Sequence, residues 1–223
     1  MNIKITKLLL LIVVIILLYK TLHYLQSNNE EKYLEEPIND KIKLSVYYEA
    51  LCPDSRFFIA YQLLPTYKNF QEYVNLDLIP YGKAQTIETD GQIEFQCQHD
   101  AVECFANKIH SCSIFLISDP LLQLEYISCM IKDNTIPDDA GERCAKEFED
   151  IKYNAISECA NGAKGTILLK ENGERTHSLK PAVTFIPTIE LNGNQNLVSQ
   201  ALILKDLKKA LCLTLKNNPS VCT

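Results

Sequence analysis

Along the first half of the globular part of the chain, the spacing of apolar residues changes period twice. Lys43-Leu44-Ser45-Val46-Tyr47-Tyr48 alternates and is rich in β-branched and aromatic residues, which predicts a strand. From Ser55 to Glu72, apolar side chains at Phe58, Ala60, Tyr61, Leu63 and Leu64 predict a helix, bent or ended near Pro65. Val74-Asn75-Leu76-Asp77-Leu78-Ile79 alternates again and predicts a second strand. Asp90-Gly91, set between Thr86-Ile87-Glu88 and Gln92-Ile93-Glu94-Phe95, predicts a hairpin turn. Residues 97 to 160 change character, with helical runs such as Leu121 to Met130 and Glu142 to Ile156. The chain then reads as strand at Thr166 to Leu169 and at Val183 to Leu191, with Asn192-Gly193 as a turn. Ser199 to Leu213 predicts a last amphipathic helix, with Leu202, Leu204, Leu207 and Leu211 near one face.

The N-terminus follows a different rule. Lys4 and Lys7 precede an unbroken apolar run from Leu8 to Leu18, followed by Tyr19 and Lys20. That run is short for a membrane span, which needs about 20 residues, and fits the core of a signal peptide. No small-x-small cleavage pattern appears before Ser27, so residues 1–27 are expected to be a signal peptide or an uncleaved signal anchor. Either way the rest of the chain is translocated, and it meets a membrane only if the segment stays uncleaved. Residues 28–41 are polar and acidic and read as a linker; the folded domain is expected over 42–223, with a helical insert at about 97–160.

Charge removes one class of function. The chain of 223 residues carries a formal charge of −6 with no basic stripe, which argues against a nucleic-acid partner. Cysteine adds more. Nine cysteines with no Cys-x-x-Cys pair and no Cys/His spacing of the zinc type point to an oxidising compartment and a disulfide framework. No metal and no cofactor is expected. Nine is odd. Setting Cys52 aside leaves Cys97, Cys104, Cys112, Cys129, Cys144, Cys159, Cys212 and Cys222, enough for four bridges; the alternative is a bridged Cys52 and another unpaired cysteine. Cys212 and Cys222 are close enough to pair, and the other six allow fifteen connectivities.

Cys52 stands where the first strand hands over to the first helix, with Pro53 beside it. The free N–H groups and positive dipole end of a helix start favour a thiolate over a thiol. Ser55 is three residues on, where a dithiol motif would place its second cysteine. The element order β-α-β, helical insert, β-β-α is that of a thioredoxin-like α/β fold with a helical, disulfide-rich insertion. Ile186-Pro187-Thr188, a proline opening a buried-type strand, supports it; in such folds this proline is cis and faces the active cysteine. Exposed backbone beside it, at Ile186 and Pro187, would pair with an extended substrate segment.

The run Cys97-Gln98-His99-Asp100-Ala101-Val102-Glu103-Cys104, continuing to Asn107 and Cys112, resembles the signature Cys-Gln-His-Gly-x2-Glu-Cys-x2-Asn-x4-Cys of the gamma-interferon-inducible lysosomal thiol reductase family. Asp100 stands where that signature has glycine. Tyr47 to Cys52, Pro80-Tyr81-Gly82-x-Ala84-Gln85 and the closing Cys212-x9-Cys222 resemble the same family, over roughly residues 43 to 222. The resemblance implies an endolysosomal or secreted enzyme that reduces protein disulfides at acidic pH through a Cys-x-x-Cys pair. Matched position by position, Cys52 takes the place of the attacking cysteine and Ser55 that of the resolving one.

A serine hydroxyl neither forms nor breaks an S–S bond, though it can donate a hydrogen bond to a thiolate. The expected catalytic residues are therefore Cys52 and Ser55, with protein disulfides as substrates and a small thiol such as glutathione or cysteine completing the reaction. Two other readings compete: a binding or chaperone-like protein on the same scaffold, and a secreted structural protein without thiol chemistry. Cys97, Cys104 and Cys112 read as structural, and Gln98, His99, Glu103 and Asn107 as hydrogen-bonding within the helical insert.

Overall fold

The computed structural model describes residues 12–23, 41–216 and 219–223. The chain divides into two units, Met1–Asp40 and Lys41–Thr223. In the first, residues 12–23 are helical with exposed apolar side chains. No helix among the described residues is long and apolar enough to cross a membrane. The rest of the expected leader, and the linker up to residue 40, lie outside the described residues.

The second unit opens with β1 (Ile42–Tyr48), whose alternation is overlaid by burial on both faces, as a central strand requires. One helical rod follows. It begins as α1 (Pro53–Phe57), passes through a π-helical stretch at Phe58–Leu63 and continues as α2 (Leu64–Phe70). The Leu64 amide reaches back to Ile59 O, one residue beyond α-helical register. Pro65 has no N–H to offer the ladder, and with the widened turn ahead of it the rod continues past the proline without ending. β2 (Val74–Pro80) then runs parallel to β1 along its whole length. β3 (Gln85–Thr89) and β4 (Gln92–Gln96) form the hairpin, with Asp90 and Gly91 both at positive φ as its two-residue turn demands.

Five helices succeed one another: α3 (Asp100–Leu116), α4 (Pro120–Lys132), α5 (Pro137–Ala145), α6 (Tyr153–Asn161) and α7 (Ala163–His177). β5 (Thr188–Leu191) pairs antiparallel with the other edge of β1, giving the sheet order β2-β1-β5. α8 (Gln200–Lys205) and α9 (Leu207–Thr214) end the unit, capped by the side chains of Ser199 and Asp206.

Four expectations need correction. Thr166 to Leu169 is not a strand but the first half of α7. Its buried positions are Gly165, Leu169, Gly173 and Thr176, a helical stripe of mostly small residues that apolarity alone hides. Gly165 is needed there, since a Cβ would lie 2.6 Å from Cys159 O, and at Gly173 a Cβ would lie 2.6 Å from the Tyr81 ring. The helical insert therefore runs to His177, past 160. The strand expected over Val183 to Leu191 is only Thr188–Leu191, because Pro187 brings no N–H to a ladder. The single closing helix is broken at Asp206, which leaves helical conformation at φ −150°.

The main core lies between the sheet and the helices, where Leu44, Val46, Phe58, Ile59, Leu63, Leu124, Ile127, Met130, Ile189 and Leu207 are all buried. Disulfides reinforce the loop-rich side. Cys97–Cys104 ties the hairpin to α3, Cys112–Cys159 ties α3 to α6, Cys129–Cys144 ties α4 to α5, and Cys212–Cys222 anchors the C-terminal turn. Bridges of this kind work mainly by constraining the unfolded chain.

Candidate active site

Cys52 is the free cysteine. It occupies the N-cap position of α1, with Pro53 at the first helical position and the first helical hydrogen bond running from Arg56 N to Cys52 O at 3.0 Å. The Cys52 residue is 9% exposed, and its sulfur sits 3.8 Å from the Ile186 carbonyl oxygen, to which the thiol donates. The Ile186–Pro187 peptide is cis. The structure thus brings Cys52, Ile186 and Pro187 together from opposite ends of the sequence. Each is nearly or fully buried, while Phe57, Tyr61 and Phe185 are exposed large apolar side chains on the same segments.

The segment holding Pro187 is pinned from outside. Gln200 accepts from Ile189 N at 2.9 Å and donates to Ile189 O at 2.6 Å, closing that edge of β5. Thr188 Oγ1 donates to Phe185 O.

Ser55 is fully buried one turn into the helix, on the face that carries Cys52. Its oxygen accepts from Glu49 N at 3.3 Å. The hydroxyl thus helps fix the loop before the cysteine; a hydrogen bond to the sulfur is absent among the described residues.

That loop is clamped by residues far away in sequence. Tyr81 N donates to Tyr48 O at 2.9 Å. Ala50 N donates to Asn107 Oδ1 at 2.9 Å, and Ala50 O accepts from Asn134 Nδ2 at 3.2 Å. The Tyr48 hydroxyl meets His110 Nδ1 at 3.1 Å, and His110 Nε2 lies 3.5 Å from Asn134 Nδ2. Tyr48, Asn107 and His110 are fully buried and Asn134 nearly so, so these bonds act in a low dielectric where losing a partner is costly. Burial drives the His110 pKa down to about 3, leaving a neutral ring, and drives the Tyr48 hydroxyl well above its ordinary value.

Asn107, expected to hydrogen-bond within the helical insert, has its side-chain partner outside it. It reaches out of the helical insert to the backbone two residues before Cys52. His110 and Asn134 were missed altogether. His110 sits one turn beyond Asn107 on α3, a spacing that could have flagged a shared face; Asn134 lies outside any motif. Gln98 is exposed.

Asp100 explains the glycine of the signature. It opens α3 with φ +62°, in the left-handed region where glycine is at no disadvantage and aspartate is among the better-tolerated alternatives. Just before it, His99 Nδ1 lies 2.6 Å from Glu103 Oε2 and 3.9 Å from Glu49 Oε2. Glu49, His99 and Glu103 are the described residues whose ligand atoms group as a metal site would require. Burial raises the Glu49 pKa, an effect eased by the hydrogen bond from Lys83 N and reinforced by the charge of Glu103.

A free thiol at a helix start, opposed by a cis-proline loop on a β2-β1-β5 sheet, defines a thioredoxin-fold protein. The solved structure of DsbA from Chlamydia trachomatis shares that fold, with a TM-score of 0.53 at 16% identity, over 71% of this chain and 80% of that one. The family model for gamma interferon inducible lysosomal thiol reductase (GILT) matches residues 43–148. The chain is 34% identical over 196 residues to the gamma-interferon-inducible lysosomal thiol reductase-like protein of Anopheles gambiae, covering 82% of this chain and 80% of that protein. It is 30% identical over 182 residues to the gamma-interferon-inducible lysosomal thiol reductase of Carassius auratus, covering 81% and 72%. The chain belongs to the gamma interferon inducible lysosomal thiol reductase family.

Proposed function

We propose that this chain is a thiol–disulfide oxidoreductase acting on protein disulfides through Cys52 alone. The observation that carries the reading is the free Cys52 at the start of a helix, facing the Ile186–Pro187 loop, with every other described cysteine bridged. The Cys52 thiolate attacks one sulfur of a substrate disulfide. A mixed disulfide forms, and the other substrate sulfur leaves as a thiolate and takes a proton. Ser55 occupies the position of a resolving cysteine and has no sulfur to give. A small thiol such as glutathione or cysteine attacks the Cys52 sulfur, releasing the second substrate thiol. A second small-thiol molecule then frees Cys52 and leaves as the oxidised dimer. One substrate disulfide and two small thiols become two substrate thiols and one small disulfide.

In this reading an extended substrate segment docks beside the buried Ile186–Pro187 turn, and the exposed Phe57, Tyr61 and Phe185 give it an apolar border. Ser55 keeps the cysteine loop in place through the Glu49 amide. The lysosomal names of the relatives and the apolar leader support a protein of the secretory pathway, lysosomal or secreted. The test is insulin reduction at acidic pH, with and without glutathione, by wild type and Cys52→Ser. Turnover that needs both Cys52 and glutathione supports the proposal. A mixed disulfide trapped on Cys52 without turnover under any thiol supply would favour a binding or chaperone-like protein instead. Equal trapping in both chains would remove Cys52 from the mechanism.

A further inference from the structure

Glu49 is the first residue after β1, in the loop that leads to Cys52, His99 is the N-cap residue of α3, and Glu103 lies in the first turn of α3. Their ligand atoms lie within 4.8 Å of one another. Each carboxylate has one oxygen held by backbone and the other turned to a common point. Glu49 Oε1 accepts from Lys83 N at 2.7 Å, and Glu103 Oε1 accepts from His99 N at 3.1 Å. Outer bonds of this kind orient ligands at metal centres. Glu49 Oε2 is buried with no hydrogen-bond partner, and Glu103 is fully buried as well. Two enclosed carboxylates beside one imidazole leave negative charge uncompensated even when the ring is protonated, which is costly in a buried place.

The close approach of Lys83 N to Glu49 is also built in. Gly82 has φ +63°, and a Cβ there would stand 2.1 Å from Glu49 Cγ. Any side chain at 82 would push the carboxylate off the amide that holds it.

We propose that Glu49, His99 and Glu103 bind one divalent cation of the zinc class through Glu49 Oε2, His99 Nδ1 and Glu103 Oε2. One nitrogen and two carboxylate oxygens suit Zn²⁺, and three protein ligands leave a fourth position for water on the partly exposed side of His99. A tetrahedral ion with bonds of about 2.1 Å holds its ligand atoms about 3.4 Å apart. The His99 Nδ1 separations of 2.6 Å and 3.9 Å from the two carboxylates bracket that value. The ion would tie the end of β1 to the start of α3, behind the loop that carries Cys52. It does not depend on the thiol reaction.

The test uses the full chain carrying Cys52→Ala, so that no free thiol competes for the metal. ZnCl2 binding is followed by equilibrium dialysis with atomic absorption, and Co²⁺ substitution by its visible spectrum. One Zn²⁺ per chain at neutral pH is expected. Binding should weaken at least tenfold in His99→Ala, Glu49→Gln and Glu103→Gln, and be unchanged in His23→Ala. The two glutamine variants keep the carbonyl that accepts the backbone N–H, and near-ultraviolet circular dichroism checks that all three fold. Absence of a stoichiometric ion in the parent, or full retention by the three variants, overturns the proposal.

Discussion

Replacing His110 by asparagine should change how stability depends on pH, by an amount that the structure sets. His110 is fully buried and its pKa falls from 6.5 to about 3, with burial as the cause. Between those values the unfolded chain binds a proton that the folded chain refuses. Stability contributed by the neutral ring is therefore complete above the unfolded value and is lost as pH falls toward the folded one. At pH 5 the unfolded histidine is almost wholly protonated, which favours the unfolded state by about 2 kcal/mol relative to pH 8. Glu49 works in the opposite sense: its pKa is raised, so its contribution is present at low pH and fades as pH rises through the folded value. That group titrates in both chains and cancels in their difference.

The experiment compares urea unfolding of disulfide-intact Cys52→Ala with the same chain carrying His110→Asn, at several values from pH 8 to pH 5. Asparagine keeps a hydrogen-bonding atom near the position of Nδ1 and does not titrate. His110→Asn will lower stability at pH 8 through lost packing and the weakened bond to Tyr48. That penalty should shrink by about 2 kcal/mol on going to pH 5. Parallel curves would refute the reasoning, since they would mean that the buried ring takes a proton as readily folded as unfolded.

Two further substitutions probe the same neighbourhood. Asp100→Gly removes a side chain at φ +62°, worth about 1–2 kcal/mol, and loses a favourable charge in the first turn of α3, worth about 0.3–1 kcal/mol. A net rise in melting temperature of about 2 °C is expected by calorimetry, and a fall would show that the charge outweighs the backbone. Ser55→Cys should give the chain a resolving thiol on the helix face of Cys52. Insulin reduction should then proceed to a single-turnover burst without glutathione, and persistent dependence on added thiol would show that position 55 cannot reach the mixed disulfide.

Local pattern was enough to find the parts that depend on neighbours in sequence. The alternation of β1 and β2, the hairpin at Asp90-Gly91, the helix start at Cys52-Pro53 and the proline at 187 are each written in a few consecutive residues. The odd cysteine count leaves one thiol over, and the helix start beside Pro53 points to position 52 as that thiol. α7 was misread because its buried stripe is glycine and threonine as much as leucine; close packing of backbone against Tyr81 and Cys159 carries no apolar signature.

The partners of the signature residues were decided only by the tertiary structure. Nothing local says that Asn107 accepts from Ala50, 57 residues away, or that Glu49 turns an oxygen toward His99. Those meetings exist because α3 packs behind the end of β1, and that placement follows from burial of the whole insert against the sheet. Sequence spacing names chemically capable side chains. Which of them converge depends on how distant apolar faces pack, and that information is spread over the entire core.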